Sequence, residues 1–367
     1  MPLYIQDPSD LQAPFLHERI LEVCQDATCG GGVFAFVTRE GVDLLIRDKV
    51  FRAFATKGKF DLIVGVDDVT NVRALTALQR AADEMPGLAV RVFYHTLSTA
   101  IFHPKFCWFK HGSRAFLVAG SGNLTARGLR GNWEAFIVDE LLAGPARELE
   151  TQWVQWLNLH DAQLRPLDDA EVMARAALNI RLPRPPGVLP PPTEEGEETE
   201  AGPVELAPTS AISHKVLIAE IPKGDVRWQQ ANFDLDSFQN FFGAQPGASH
   251  RIVLQHVDSS GALGALESRP SVAVKSRNFR FELEAAHGLD YPTTGRPIGV
   301  FVQIAPRFFR YRLLMPNDPN YAAVSAVLET MYKGRADRMR RAATTTDVLR
   351  QAWPDSPLWR TPLEVQD

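Results

Sequence analysis

The chain has little to staple it covalently and nothing suited to crossing a bilayer. Three cysteines (Cys24, Cys29 and Cys107) in 367 residues do not make a disulfide framework. None stands at zinc-site spacing from a histidine, so no metal or other cofactor is expected. There is no apolar run of 18 residues and no basic, apolar, small-residue leader. Membrane spanning and secretion are therefore not expected, and a reducing cytoplasm is. Positive charge is not in excess either: 39 Lys and Arg face 44 Asp and Glu, a net charge of −5. That balance is uneven, since residues 1–200 carry 20 basic and 27 acidic residues and residues 201–367 carry 19 and 17. A local basic cleft is what a nucleic acid requires, so the global charge does not exclude DNA.

The length allows two domains with real cores. The first half has an α/β pattern: a helix over 12–24, a strand GVFAFVT (32–38) followed by a second apolar run VDLLI (42–46), and an unalternating interior strand DLIVGVD (61–67). A helix capped by Thr70 runs to about Asp83, and the strand LAVRVFYH (88–95) follows. FCWF, RAFLVAG and EAFIVD then leave little room for helices between them, so some of them are expected to pair antiparallel. Helices over 144–158, with Leu149, Trp153 and Trp156 on one side as core, and over 168–179 complete this half. The stretch 181–203, RLPRPPGVLPPPTEEGEETEAGP, is rich in Pro and Glu and has no apolar face, as a linker would be. Beyond it come short strands (214–221, 250–257, 271–276, 278–285, 299–305 and 308–316) with short helices near 235–242 and 319–332. Such a run suggests a barrel or pseudobarrel.

The chemistry concentrates in HPKFCWFKHGSRAFLVAGSGNLTARGLRGNWE (103–134), where polar residues end apolar strands. Phosphodiester cleavage without a metal needs a nucleophile, donors for the nonbridging oxygens and an acid for the leaving oxygen. His103 is the candidate nucleophile. Glu134 is the local acceptor that could hold its second nitrogen, Lys105 the point charge, and Asn123 and Ser121 further donors. Gly120 and Gly122 let the backbone approach a phosphate.

HPK (103–105), GSGNLT (120–125) and NWE (132–134) resemble the HxK, GSxN and NxE elements of the phospholipase D superfamily. The resemblance implies His103 as nucleophile of a phosphohistidine intermediate, Lys105 and Asn123 as phosphate ligands, Ser121 assisting, and Glu134 orienting a histidine. That family pattern has an Asp five positions after the Lys; here it is Lys110. The family also uses two HxK motifs, and this chain has one. A homodimer with one composite active site is therefore expected, one copy of His103 attacking and the other protonating the leaving oxygen.

The second half resembles plant B3-type DNA-reading pseudobarrels, which follow the catalytic domain in certain phospholipase D-like restriction endonucleases. The expected plan is an α/β phospholipase D-like catalytic domain (1–165), a helix and Pro/Glu-rich linker (166–209), and a mostly β, B3-like pseudobarrel (210–365). Two polar clusters suit base edges and phosphates of double-stranded DNA: Arg227, Gln229, Gln230 and Asn232, and Lys275, Arg277, Asn278 and Arg280. Trp228 reads as a core or loop anchor. Arg335, Arg338, Arg340 and Arg341 read as a basic helical patch. The expectation is a metal-independent, sequence-specific DNA endonuclease of restriction or phage defence. The alternatives are a relaxed nuclease on single strands or RNA, a non-nuclease phosphodiesterase, and a catalytically silent DNA-binding subunit.

Overall fold

A computed structural model describes residues 2–10, 12–97, 99–179, 213–223, 228–245, 250–270, 272–273, 279–335 and 338–360. The 181–203 stretch read as a linker lies outside the described residues.

The first half is built on one sheet of eight strands: β1 (Leu3–Gln6), β2 (Cys29–Phe34), β3 (Lys59–Gly65), β4 (Leu88–Phe93), β5 (Lys105–His111), β6 (Arg114–Gly120), β7 (Glu134–Leu141) and β8 (Leu164–Arg165). Their order is β1-β7-β6-β5-β2-β3-β4-β8, with β2, β3 and β4 parallel and β5, β6 and β7 antiparallel. β3 is apolar without alternation because both faces are covered. Leu62 and Val64 face the main core, whereas Ile63 faces Trp108, Trp153 and Leu164. The helix Ala143–Leu159 lies on this second face, so its tryptophans are core residues, as their spacing suggests. β2 can pass beneath it because Gly31 carries no side chain: a Cβ there would stand 2.6 Å from the Trp153 ring.

One local reading is filled in and one is corrected. The apolar run Val42–Ile46, to which the sequence assigns no element type, forms a wide helical turn with every residue buried. Thr70 does not cap the helix Val72–Glu84. Asn71 does, accepting from Ala74 N, while the Thr70 hydroxyl accepts from Val37 N. The helix Ala170–Leu178, grouped above with the linker, packs Val172 and Ala176 into the first core.

The second half carries β9 (Lys215–Glu220), β10 (Gln230–Phe233), β11 (Arg251–Val257), β12 (Leu263–Pro270), β13 (Val272–Ala273), β14 (Phe279–Glu282), β15 (Ile298–Ala305), β16 (Phe308–Leu314) and β17 (Arg341–Thr345). They form a six-stranded sheet, β12-β11-β16-β15-β9-β17, and a three-stranded sheet, β10-β14-β13. No closed barrel forms among the described residues. Leu217, Ala219 and Phe301 face an aromatic core with Phe233, Phe238, Phe242, Phe281 and Phe309. Val216, Ile218, Val300 and Val302 face the helix Tyr321–Met331 instead. Trp228 is a buried anchor, its indole N–H donating to Leu289 O at 2.9 Å. The arginines read as a basic helical patch lie beyond that helix: Arg341 opens β17 and pairs with Asp234, and Arg340 donates to Glu220.

The two halves meet at a buried polar clasp. Glu18, on the helix Leu16–Cys24, accepts from Arg307 Nη2 at 2.9 and 3.0 Å and from Arg251 N at 2.8 Å. Arg251 also pairs with Asp48 at 2.9 Å. Arg130 lies 3.9 Å from Glu18 and donates to Pro306 O. Arg307 and Arg130 both have their guanidinium carbons against the Phe15 ring, at 4.6 and 4.3 Å.

Candidate active site

One rim of the first sheet collects the starts of β5 and β7 and the ends of β2 and β6. Antiparallel pairing makes this arithmetic: Lys105 sits opposite Phe34, Phe106 opposite Ala119, and Gly120 opposite Phe136. The three motifs, separated in sequence, therefore end side by side. The parallel strands β3 and β4 send their carboxyl ends to the same rim, the place where open α/β sheets leave a crevice.

His103 is exposed and stands two residues before the start of β5, outside the strand itself. Its ring packs edge-on against Phe36 at 5.5 Å. Lys105 Nζ donates to His103 O at 2.9 Å and stands 3.0 Å from Nδ1 and 3.1 Å from Nε2, singling out neither ring nitrogen. Partial burial, then the adjacent ammonium, lowers the His103 pKa from its ordinary value and so favours the neutral, nucleophilic ring. Burial also lowers Lys105, against the opposing pull of the Glu134 carboxylate.

The GSGNLT loop lies against the continuation of β2. Phe36 N donates to Asn123 Oδ1 at 3.1 Å, Leu124 N to Phe36 O at 3.1 Å, and Thr38 N to Leu124 O at 3.1 Å. Because a backbone N–H can only donate, this bond fixes the Asn123 amide with its NH2 as the remaining donor. Phe36 thus joins two motifs, its ring on His103 and its backbone on Asn123. Gly120 permits the turn into the loop, since a Cβ there would come within 2.5 Å of Ala135 O.

The expected local bond from Glu134 to His103 is not made. Glu134 opens β7, and its carboxylate accepts the Ser121 hydroxyl and, at 3.2 Å, the Asn132 amide. Ser121 Oγ in turn accepts from Ala135 N at 3.1 Å. The reason is register: Ser121 follows directly from β6, beside β7, whereas His103 lies before β5, one strand further away. Lys110, standing where the resemblance calls for Asp, is five residues along β5 from Lys105, about 17 Å. There it binds Glu150 at 2.7 and 2.8 Å, so it takes no part in this rim.

Several supporting residues escaped the sequence reading. Gln6, fully buried, donates to Gly128 O and Asn132 O and accepts from Leu16 N, pinning the backbone ahead of Glu134. Asp67, just past β3, accepts from Phe102 N, next to His103. An acid directly following an apolar parallel strand was its available signal. Among the described residues, no group of three or more His, Cys, Asp or Glu is placed to hold a metal ion, and no helix is long and apolar enough to cross a membrane.

Of the two candidate reading clusters, Gln230 and Asn232 lie on β10 and Arg280 on β14, its pairing partner. Asn232 on β10 is opposite Arg280 on β14, and Gln230 is opposite Glu282. Arg280 donates to Gln230 Oε1 at 2.9 Å, and Gln229 O accepts from Leu283 N. Arg227, Lys275, Arg277 and Asn278 lie outside the described residues, as does the side chain of Asn232.

No protein-family model and no curated protein matches the chain. Among solved structures it is similar to a phospholipase D family member, Nuc, from Salmonella typhimurium, at 14% identity and a TM-score of 0.34 over 45% of this chain and 95% of that one. It is also similar to NucT from Helicobacter pylori, at 10% identity and a TM-score of 0.32 over 45% and 97%. A third similarity is to phosphatidylserine synthase from Haemophilus influenzae, at 14% identity and a TM-score of 0.34 over 44% and 39% of the two chains.

Proposed function

We propose that the protein is a phosphodiesterase that cleaves double-stranded DNA at specific sequences, in restriction or phage defence in the cytoplasm. One observation carries the reading: His103, Lys105, Ser121, Asn123 and Glu134 converge on one open sheet rim, a nucleophile among donors suited to a phosphate. In the proposed reaction a neutral His103 nitrogen attacks phosphorus, forming an N–P bond as the P–O bond to the leaving sugar oxygen breaks. That oxygen takes its proton from the His103 of a second copy, because this chain places no second histidine among the motif residues. Water then attacks phosphorus and releases His103, its proton passing to the second imidazole. Lys105 and the Asn123 amide hold the nonbridging oxygens throughout. The Glu134 carboxylate, which does not bond the histidine of its own chain, is assigned to the partner's histidine or to Ser121.

The working division is a catalytic domain over 1–165 to which the helix Ala170–Leu178 adds, a tether beyond that helix up to 209, and a reader over 210–365. The pairing of β10 with β14 supports the reader, since it puts Gln230, Asn232 and Arg280 on one small sheet. A catalytically silent subunit is disfavoured because Lys110 lies far from the rim, in a salt bridge of its own.

Plasmid incubated with the full chain in EDTA should give discrete fragments, and His103→Ala should abolish cleavage while retaining duplex binding. A smear would replace site-specific by relaxed cleavage, and an active H103A would overturn the nucleophile. Sedimentation should show a dimer in the active preparation; an active monomer would overturn the composite site.

A further inference from the structure

His103 is delivered by an irregular connection between Phe93, the end of β4, and Lys105, the start of β5. Such a segment would ordinarily be mobile, yet a nucleophile must be held within a fraction of an ångström. The connection is gripped at both ends by one carboxylate. Asp67 Oδ2 accepts from Phe102 N at 2.7 Å, the residue before His103, and contacts His95 Nε2 at 3.1 Å. Asp67 Oδ1 accepts from Arg175 Nη1 at 3.2 Å. Arg175, reaching in from the helix Ala170–Leu178, also donates to His95 O at 3.3 Å and lies over the Tyr94 ring. Phe102 is stacked on Phe93 at 4.2 Å, so the peptide beside His103 is held by an apolar contact on its side chain and by a charge-assisted bond on its nitrogen. Asp67 is 7% exposed and His95 11%, which shields this grip from water.

We propose that Asp67, neutralised by Arg175, is a positioning residue for the reaction: it fixes the Phe102 peptide and thereby the attack line of His103. This rests on His103 being the nucleophile. The hydrogen bonds define the test. In Asp67→Asn the amide oxygen can keep Phe102 N–H and His95, which leaves its NH2 facing the Arg175 guanidinium, donor against donor. Arg175→Met removes that conflict, so D67N/R175M should recover much of the rate that D67N loses. Asp67→Ala has no acceptor left, and R175M should not rescue it.

The measurement is steady-state hydrolysis of bis(p-nitrophenyl) phosphate by the full chain, with rates scaled to the folded fraction from circular dichroism. D67A should lower kcat about 10²-fold, the scale of an ångström-sized misplacement, with KM held because Lys105 and Asn123 lie outside the gripped segment. Wild-type kcat in D67A, a loss confined to KM, or equal rates in D67N and D67N/R175M would each overturn the proposal. An active H103A would instead overturn the reading of the nucleophile, so the two failures are distinguishable.

Discussion

The clasp between the two halves allows a sharp energetic prediction, because its charges have no water to fall back on. Glu18 is 4% exposed and Arg307 fully buried, and burial lowers the pKa of Arg307 while Glu18 holds the proton on. Glu18→Gln preserves the volume and an acceptor for Arg251 N but removes the carboxylate that Arg307 and Arg130 share, leaving two like charges buried side by side. Breaking a buried pair in this way costs about 3–5 kcal/mol. The exposed pair Arg114–Glu140, whose side chains are 56% and 44% exposed, provides the control. Glu140→Gln should cost less than about 1 kcal/mol. Replacing both partners of the central pair, as Glu18→Leu with Arg307→Met, should restore part of the loss, since an apolar pair needs no solvation while Arg130 and Arg251 N still lose the carboxylate. Arg307 adds a further test. It follows Pro306 at φ +55°, where a tight turn favours glycine. Turn chemistry alone makes Arg307→Gly stabilising; the clasp makes it destabilising. Urea unfolding of the full chain reads all of these. An E18Q midpoint equal to that of E140Q, or a stabilised R307G, would refute the argument.

Two pH effects follow from the charge environment. Lys105 disfavours the imidazolium of His103, so Lys105→Met should raise the His103 pKa in an NMR titration of the ring; an unchanged or lowered value would count against their contact. Burial, then Arg312, lowers His256 to about 4, below the ordinary histidine value of 6.5. The unfolded chain then binds the extra proton first, so this residue removes stability as pH falls from 6.5 towards 4. His256→Gln should flatten the urea midpoint across that window, and an unaltered slope would refute the assignment.

The first sheet was legible because its physics is local. β3 lacks alternation since both its faces are covered, and the run from β5 to β7 leaves too few residues between strands for crossovers. The Thr70 cap was misread because two adjacent residues both suit the role, and only the tertiary neighbour Val37 N claims the threonine. The VDLLI turn was ambiguous for a related reason: a short run apolar on every side fits a buried strand and a buried helical turn equally well. In the second half the same uniform burial hid the architecture. β9 and β15 present apolar residues to two different cores, and a strand list cannot distinguish that open arrangement from a closed one.

The site shows the limit most clearly, since motif spacing specifies which residues reach the rim but not which of them touch. Sequence distance suggested that Glu134 would hold His103. Strand order gives it Ser121 instead, because β6 lies beside β7 and separates it from β5. Lys110 was a puzzle only while its position was counted from Lys105 along the sequence; along β5 it is at the opposite end of the strand, paired with Glu150. Asp67 belongs to no motif and reaches His103 only by way of its neighbour, through the Phe102 backbone nitrogen. Glu134 accepts from its own Ser121 and Asn132, and each carboxylate oxygen keeps a further lone pair able to accept. On the proposed reading the histidine of the second copy takes one of these, which makes the missing intrachain bond a consequence of a composite site rather than a flaw in it.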